Sequence, residues 1–176
     1  MISKFLPTFQ IDTARLRIRK FTRGDIKPFV SFMTDRESTT FLPFAREQKS
    51  SEGAKELVEA TLESYDSERL MLAFAVEERA SSQFVGFCGL NPYDETTIEI
   101  LYAVMPSRRR QGYATEIATA LTHYAFYELG YQRVIAFIVP ANEYSKTVAT
   151  KVGFKDGGLV RNANFSEKVH QFILER

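Results

Sequence analysis

Between an apolar run that ends at Met105-Pro106 and a long amphipathic segment that starts near Gly112 stand the residues Ser107-Arg108-Arg109-Arg110-Gln111-Gly112-Tyr113-Ala114. The N-terminus of a helix presents unpaired N–H groups and roughly half a positive charge, so acidic side chains belong there and three consecutive arginines do not. The mismatch points to an anion supplied from outside. Free N–H groups, a glycine that allows close approach of backbone, and arginine side chains together suit a phosphate or a pyrophosphate. A solvated basic loop is the plainer alternative, since charge runs usually face water. No Gly-Lys-Ser/Thr follows, and Gly112-Tyr113-Ala114 is not a Gly-x-Gly-x-x-Gly, which argues against both the Walker loop and the dinucleotide fingerprint.

The elements that must hold this segment can be read from periodicity. Residues 13–21 alternate with Leu16, Ile18 and Phe21 on one side, as a half-buried strand does. Asp25 precedes Ile26, Phe29, Val30 and Met33 at helical spacing and is placed to cap a short helix. Residues 52–65 predict an amphipathic helix through Ala54, Leu57, Val58, Thr61, Leu62 and Tyr65. The runs 71–76 and 84–90, separated by the polar stretch 77–83, predict an antiparallel hairpin, and 97–105 a further strand stopped by Pro106. Residues 112–129 predict the strongest helix, ended by Gly130, followed by a buried strand over 133–139. Asn142 opens a last helix that Gly153 stops, before a strand pair near Leu159 and 169–174. The order predicts one mixed α/β domain over residues 1–176, a central sheet flanked by helices.

Bulk properties narrow the class. A chain of 176 residues suits one core that buries roughly 70% of the unfolded surface. The formal charge of +1, from 23 Lys plus Arg against 22 Asp plus Glu, gives no field to hold nucleic acid, so an anion site must be local. The single cysteine, Cys88, excludes an internal disulfide, and the isolated His123 and His170 do not make a metal-ligand set. The opening Met1-Ile2-Ser3-Lys4-Phe5-Leu6-Pro7 lacks the apolar stretch of a signal peptide, and no run is long enough to span a bilayer; a cytoplasmic location without membrane partners is the expectation.

Arg109-Arg110-Gln111-Gly112-Tyr113-Ala114 resembles the Gln/Arg-x-x-Gly-x-Gly/Ala loop of the GNAT superfamily of N-acetyltransferases. The likeness extends through Tyr102-Ala103-Val104-Met105-Pro106 before it, Thr115-Glu116 after it, and Asn142-x-x-Ser145 with Lys151-Val152-Gly153-Phe154 further on. Thr13-x-Arg15-Leu16-x-Ile18-Arg19 and Asp25 are similar to the start of the ribosomal-protein N-terminal (Rim-type) subgroup. The resemblance implies a splayed sheet and acetyl-CoA as cosubstrate, with no metal. Arg109, Arg110, Gln111, Gly112, Tyr113, Ala114 and Thr115 would hold the pyrophosphate. Backbone of Tyr102, Ala103 and Val104 would hold the pantetheine arm together with Asn142 and Ser145, Val104 N–H polarising the thioester carbonyl. The acceptor would be an amine, such as the α-amine of a ribosomal or other protein N-terminus, with a small-molecule amine as the alternative; monomer and homodimer stay open.

Roles for the proton transfers follow from the same resemblance. Glu99 matches the acid that many GNAT enzymes use as base, although alternation with Ile98 and Ile100 equally places it on a solvent face. A second base position in the family is Phe137 here. The tyrosine that usually protonates the thiolate is replaced by Ala149, which leaves Ser145 as the proton donor and Tyr144 as runner-up; Ser145 and Asn142 also suit plain capping roles. Phe41 and Phe44 fall where relatives vary the acceptor pocket. The missing tyrosine also admits a coenzyme-A-binding sensor without turnover, or an interaction domain on the same scaffold.

Overall fold

A computed structural model describes residues 9–67 and 71–176; the opening segment read for a signal peptide lies outside them. Eight strands form one sheet in the order β1-β2-β3-β4-β5-β6-β8-β7. They are β1 (Gln10–Asp12), β2 (Leu16–Lys20), β3 (Ala73–Glu78), β4 (Phe84–Pro92), β5 (Thr97–Val104), β6 (Arg133–Ile138), β7 (Lys155–Val160) and β8 (Val169–Glu175). All pairs are antiparallel except β5 with β6, which run parallel and stay in register only over Thr97↔Arg133, Ile98↔Val134 and Glu99↔Ile135. Beyond Glu99 the two strands part, so the sheet is both mixed and splayed.

One face packs on α4 (Tyr113–Tyr127) and α5 (Glu143–Val152). Leu16, Ile18, Ile98, Ile117 and Leu121 are fully enclosed there. The other face packs on α1 (Ile26–Thr34) and α3 (Ser51–Ser64) through Phe29, Phe32, Met33, Val58 and Phe87. Period-two alternation in β5 divides its side chains between the cores, with Ile98, Ile100, Tyr102 and Val104 toward α4 and Leu101 and Ala103 toward α1 and α3. Glu99 shares the parity of the second set and therefore faces α1 and α3. Gly86 of β4 lies opposite Val104, and a Cβ there would collide with the carbonyl oxygen of Ala103.

Three local readings are corrected and one short helix is added. The strand over 13–21 contracts to β2, and β1 precedes it as a separate strand, because Thr13 turns the chain between them by donating its N–H to Leu16 O at 2.8 Å. The exposed three-residue β1 shows no alternation that would reveal it. Asp25 occupies the N-cap position of α1 but makes no side-chain capping bond to it; its carboxylate accepts from Thr22 N–H at 2.7 Å and pairs with Arg19 at 2.8 Å, closing the 3₁₀ turn Arg23–Asp25 that leads into the helix. A short α2 (Arg36–Thr39), capped by Asp35 on Ser38 N–H at 2.8 Å, follows without a pattern of its own. Glu77, read as part of a polar connection, lies within β3 and is buried, because Arg19 at 2.6 Å and Arg17 at 3.5 Å supply its counter-charge.

Candidate active site

Gly112 forms the N-cap of α4 with φ +80°, and Arg110 before it is also left-handed with φ 60°. Glycine is suited to that conformation because it has no Cβ to clash. The first helical bond is Glu116 N–H to Gly112 O at 3.1 Å. The N–H groups of Gly112, Tyr113, Ala114 and Thr115 therefore have no acceptor among the described residues, which is the arrangement an anion would complete. Glu116 holds the loop from below, accepting from Thr13 Oγ1 at 2.5 Å, Arg15 N at 2.9 Å and Arg15 Nε at 2.8 Å. Arg15 also donates to Gln111 O at 2.8 Å and lies over the Tyr113 ring at 4.5 Å.

The arginines divide their work. Arg108 turns to Gln83 and Glu78. Arg109 reaches back to Val104 O at 3.3 Å and Ser38 Oγ at 3.1 Å, tying the loop to β5 and α2. Arg110 is exposed and donates to Tyr144 Oη at 2.8 Å. The charge mismatch inferred at the helix start is thus met partly inside the protein; Arg110 is the cation nearest in sequence to the unpaired N–H groups that salt-bridges no carboxylate. Tyr113 is buried with its hydroxyl on Glu78 at 2.8 Å, leaving its N–H as the part it can offer.

Along β5 the backbone alternates as well. Thr96 O accepts from Gln132 and Arg133 N–H at 2.9 and 3.1 Å on the β6 side, whereas Met105 N–H donates to Val85 O at 2.8 Å on the β4 side. Even-numbered positions therefore turn their N–H groups toward β6, and odd-numbered ones toward β4. Since β6 has parted from β5 by then, the N–H groups of Tyr102 and Val104 open into the gap, while Ala103 spends its backbone on β4 opposite Phe87.

The gap holds a channel of about 50 Å³ lined by Glu99, Tyr102, Phe137, Asn142 and Ser145, with Phe41 at its side. On the α1 and α3 face of the sheet lies a cavity of about 740 Å³ whose walls include Phe29, Phe44, Leu57, Phe87 and Leu101. Pro43, Glu99 and Leu101 line both spaces. Glu99 is the sole charged side chain among the described residues of either lining. Burial raises its pKa above the ordinary carboxylate value, opposed by a hydrogen bond from Asn91 Nδ2 at 3.2 Å. Glu99 is thus not a solvent-face carboxylate but a half-buried one at a junction.

The hydroxyls near the channel differ in standing. Asn142 caps α5 by accepting Ser145 N–H at 3.1 Å, as an asparagine at that position should. Ser145 Oγ does not bond back to its own helix, unlike the hydroxyls of Thr147 and Thr150, and interacts with the Tyr102 side chain. Tyr144 is 68% exposed and held by Arg110, outside both linings. The Tyr102 hydroxyl, 3.5 Å from Ser145 O, stands on the α5 side, and burial pushes its pKa upward, keeping it a neutral donor. Ala149 is 2% exposed and packs in the core.

The family model described as an acetyltransferase (GNAT) domain matches residues 15–155. The chain belongs to the GNAT acetyltransferase family. It is accordingly an acetyl-CoA-dependent N-acetyltransferase, and its mixed eight-stranded sheet is the GNAT fold. The uncharacterised N-acetyltransferase YoaA of Bacillus subtilis (strain 168) is 26% identical over 153 residues, 86% of this chain and 85% of YoaA. The spermidine N-acetyltransferase of Vibrio cholerae, solved with CoA and spermine, superposes with TM-score 0.77 at 16% identity, over 93% of this chain and 96% of that one. The ribosomal-protein-S5-alanine acetyltransferase of Vibrio fischeri gives TM-score 0.75 at 15% identity, over 96% and 97%. Among the described residues no group of His, Cys, Asp and Glu could hold a metal, and no helix is long and apolar enough to cross a membrane.

For a GNAT enzyme the residues at the junction fit acetyl-CoA, with unpaired N–H groups at α4 for phosphate oxygens and open N–H groups along β5 for the arm. Sequence reasoning overlooked the side chain of Tyr102, read for its backbone alone, although its even parity with Ile98 and Ile100 already placed it on the α5 side. It also overlooked Asn91, which register sets opposite Glu99. Asn164 and Phe165 line the two spaces from the β7–β8 connection, where no local pattern announces them.

Proposed function

We propose that this enzyme transfers acetyl from acetyl-CoA by direct attack of an amine delivered through the larger cavity to Glu99. The N–H groups of Gly112, Tyr113, Ala114 and Thr115 receive the pyrophosphate, with Arg110 released from Tyr144 to join them, and Gln111 and Arg109 keep the loop in place. The pantetheine arm lies in the gap between β5 and β6 against the N–H groups of Tyr102 and Val104 and the amide of Asn142. Val104 N–H donates to the thioester carbonyl oxygen, where negative charge grows during attack.

Glu99, directly or through water, takes the proton that the amine sheds. Ser145 Oγ, with the Tyr102 hydroxyl beside it, donates to the departing sulfur, so one proton leaves nitrogen and one reaches sulfur. A protein N-terminus is a suitable acceptor, because an α-amine with pKa near 8 is about 10% neutral at pH 7 and needs only a weak base. The observation that supports this reading best is that Glu99 lines both the channel and the cavity, so that an amine held at its carboxylate would also reach a thioester in the channel.

Titration with acetyl-CoA by calorimetry, followed by thiol release with a panel of peptide N-termini and small amines, tests it. Binding with turnover is expected. Binding of acetyl-CoA without thiol release from any panel amine would remove the direct-attack assignment, and absence of binding would remove the coenzyme loop.

A further inference from the structure

We infer that the acceptor is a primary amine borne on a ring-sized apolar body, its nitrogen at Glu99 and its body among Phe29, Phe44, Leu57 and Phe87. The inference rests on the reading that the amine reaches Glu99, and goes beyond it by naming what the rest of the substrate must be.

The cavity of about 740 Å³ is of the size that small-molecule sites occupy. Its polar side chains are few, chiefly Thr61, Asn91, Asn164 and Glu99. Thr61 Oγ1 is already committed to Leu57 O at 2.7 Å. The lining has no arginine, lysine or histidine among the described residues, so a free amino acid would bring its carboxylate into an apolar space without a counter-ion. A polyamine would meet the opposite difficulty: Glu99 can satisfy one ammonium, and the next would be desolvated with no second carboxylate to pair it.

The aromatic walls suit a ring. Phe29 meets Phe87 edge-on at a centroid distance of 5.0 Å, and Phe44 approaches the same ring at 6.2 Å. A ligand ring can extend that pattern of edge-to-face contacts. Such an amine could arrive as a free arylalkylamine or as the first residue of a chain that begins with a bulky apolar side chain. Both present the same chemistry to Glu99.

The chain contains no tryptophan, so indole emission reports on an indole ligand alone. Tryptamine is therefore the probe, its binding read by the blue shift and saturation of its fluorescence and its turnover by thiol release. Burial of the ring should give tryptamine a kcat/KM about 10- to 100-fold above that of spermidine or of glycine. Ala73 lies on the cavity side of β3, and Ala73→Phe, which fills the space, should lower tryptamine binding at least about tenfold while acetyl-CoA affinity by calorimetry is retained.

Comparable or faster turnover of spermidine or glycine overturns the inference, as does tryptamine emission that never shifts, or that shifts equally in a folded Ala73→Phe variant. A saturable shift that Ala73→Phe weakens, with no thiol release from any amine, keeps the cavity assignment and instead defeats the direct-attack reading. A peptide beginning with Trp is the second arm. A higher kcat/KM for tryptamine assigns the free amine, and a higher one for the peptide assigns a chain N-terminus; each supports the apolar body.

Discussion

Replacing Glu99 by glutamine keeps shape and the contact with Asn91 while removing the proton acceptor, and two readings of Glu99 then differ in magnitude. If the carboxylate takes the proton during attack, its loss costs about 10²- to 10⁴-fold in kcat/KM. The half-buried position, with a channel and cavity that admit water, favours the lower end, about 10²-fold. If Glu99 merely deprotonates the ammonium beforehand, an α-amine that is already about 10% neutral at pH 7 can gain no more than about tenfold, and the loss should vanish near pH 9. A lysine-like amine with pKa near 10.4 would lose far more under that second reading, because well under about 1% is neutral at pH 7. The assay is steady-state thiol release from about pH 6 to 9 with both amine types, for parent and variant. Besides the limb that the amine's own protonation imposes on both enzymes, the parent profile should carry a second one above the ordinary carboxylate range, since burial raises Glu99, and only this second limb should be lost in the variant. Stability provides the control. A carboxyl with a raised folded pKa favours the fold when protonated, a contribution present below the unfolded value and lost as pH rises through the folded one. Glu99→Gln should therefore be no less stable than the parent at neutral pH. Equal kcat/KM in parent and variant across the whole range, with both amines, would refute the assignment of Glu99 as the base.

Ser145→Ala and Tyr102→Phe should each lower kcat more than they raise KM for acetyl-CoA; a change confined to KM would return the residue to a binding or capping role. Gly112→Asp combines a left-handed backbone with a negative charge at the unpaired N–H groups, so acetyl-CoA affinity measured by calorimetry should fall at least about tenfold; unchanged affinity in the folded variant would dispose of the pyrophosphate assignment. Arg19→Ala leaves the buried Asp25 and Glu77 without their shared counter-ion, with side-chain exposures of 5% and 8%. It should cost about 3 kcal/mol and lower Tm by roughly 6–12 °C, and a loss under about 1 kcal/mol would show that the triad contributes little.

Long elements with a clean period were legible. The helix through Ile117, Leu121 and Ala125 and the strand through Leu16 and Ile18 display their buried faces in the chain itself, and Gly130 and Gly153 mark the helix ends with positive φ. The glycine-led start of α4 with its unpaired N–H groups was legible too, because arginines and a glycine at a helix start depart from the acidic residues that the helix dipole favours. What escaped depends on contacts between distant segments. Glu77 reads as a turn residue until Arg17 and Arg19, across the sheet, neutralise it. Arg109 reads as an anion ligand until Ser38 and Val104 claim its guanidinium. The side on which Glu99 faces could not be chosen from alternation alone, since both faces of β5 are covered, one by α4 and the other by α1 and α3. Tyr102 became visible as a side chain only when α5 was set beside it.

The parting of β5 from β6 also bears on how long the protein lasts. A sheet that stops pairing midway leaves main-chain donors at Tyr102 and Val104 unused, in the place where a ninth partner would sit. A pantetheine arm lying there would serve as part of the ladder, so folding and donor supply become linked through mass action. At a free concentration about 100 times Kd, such a ligand adds about 2.7 kcal/mol to the native state. Amide exchange at these two positions should then slow as the acetyl-CoA level rises, and limited proteolysis should be faster without acetyl-CoA than with it.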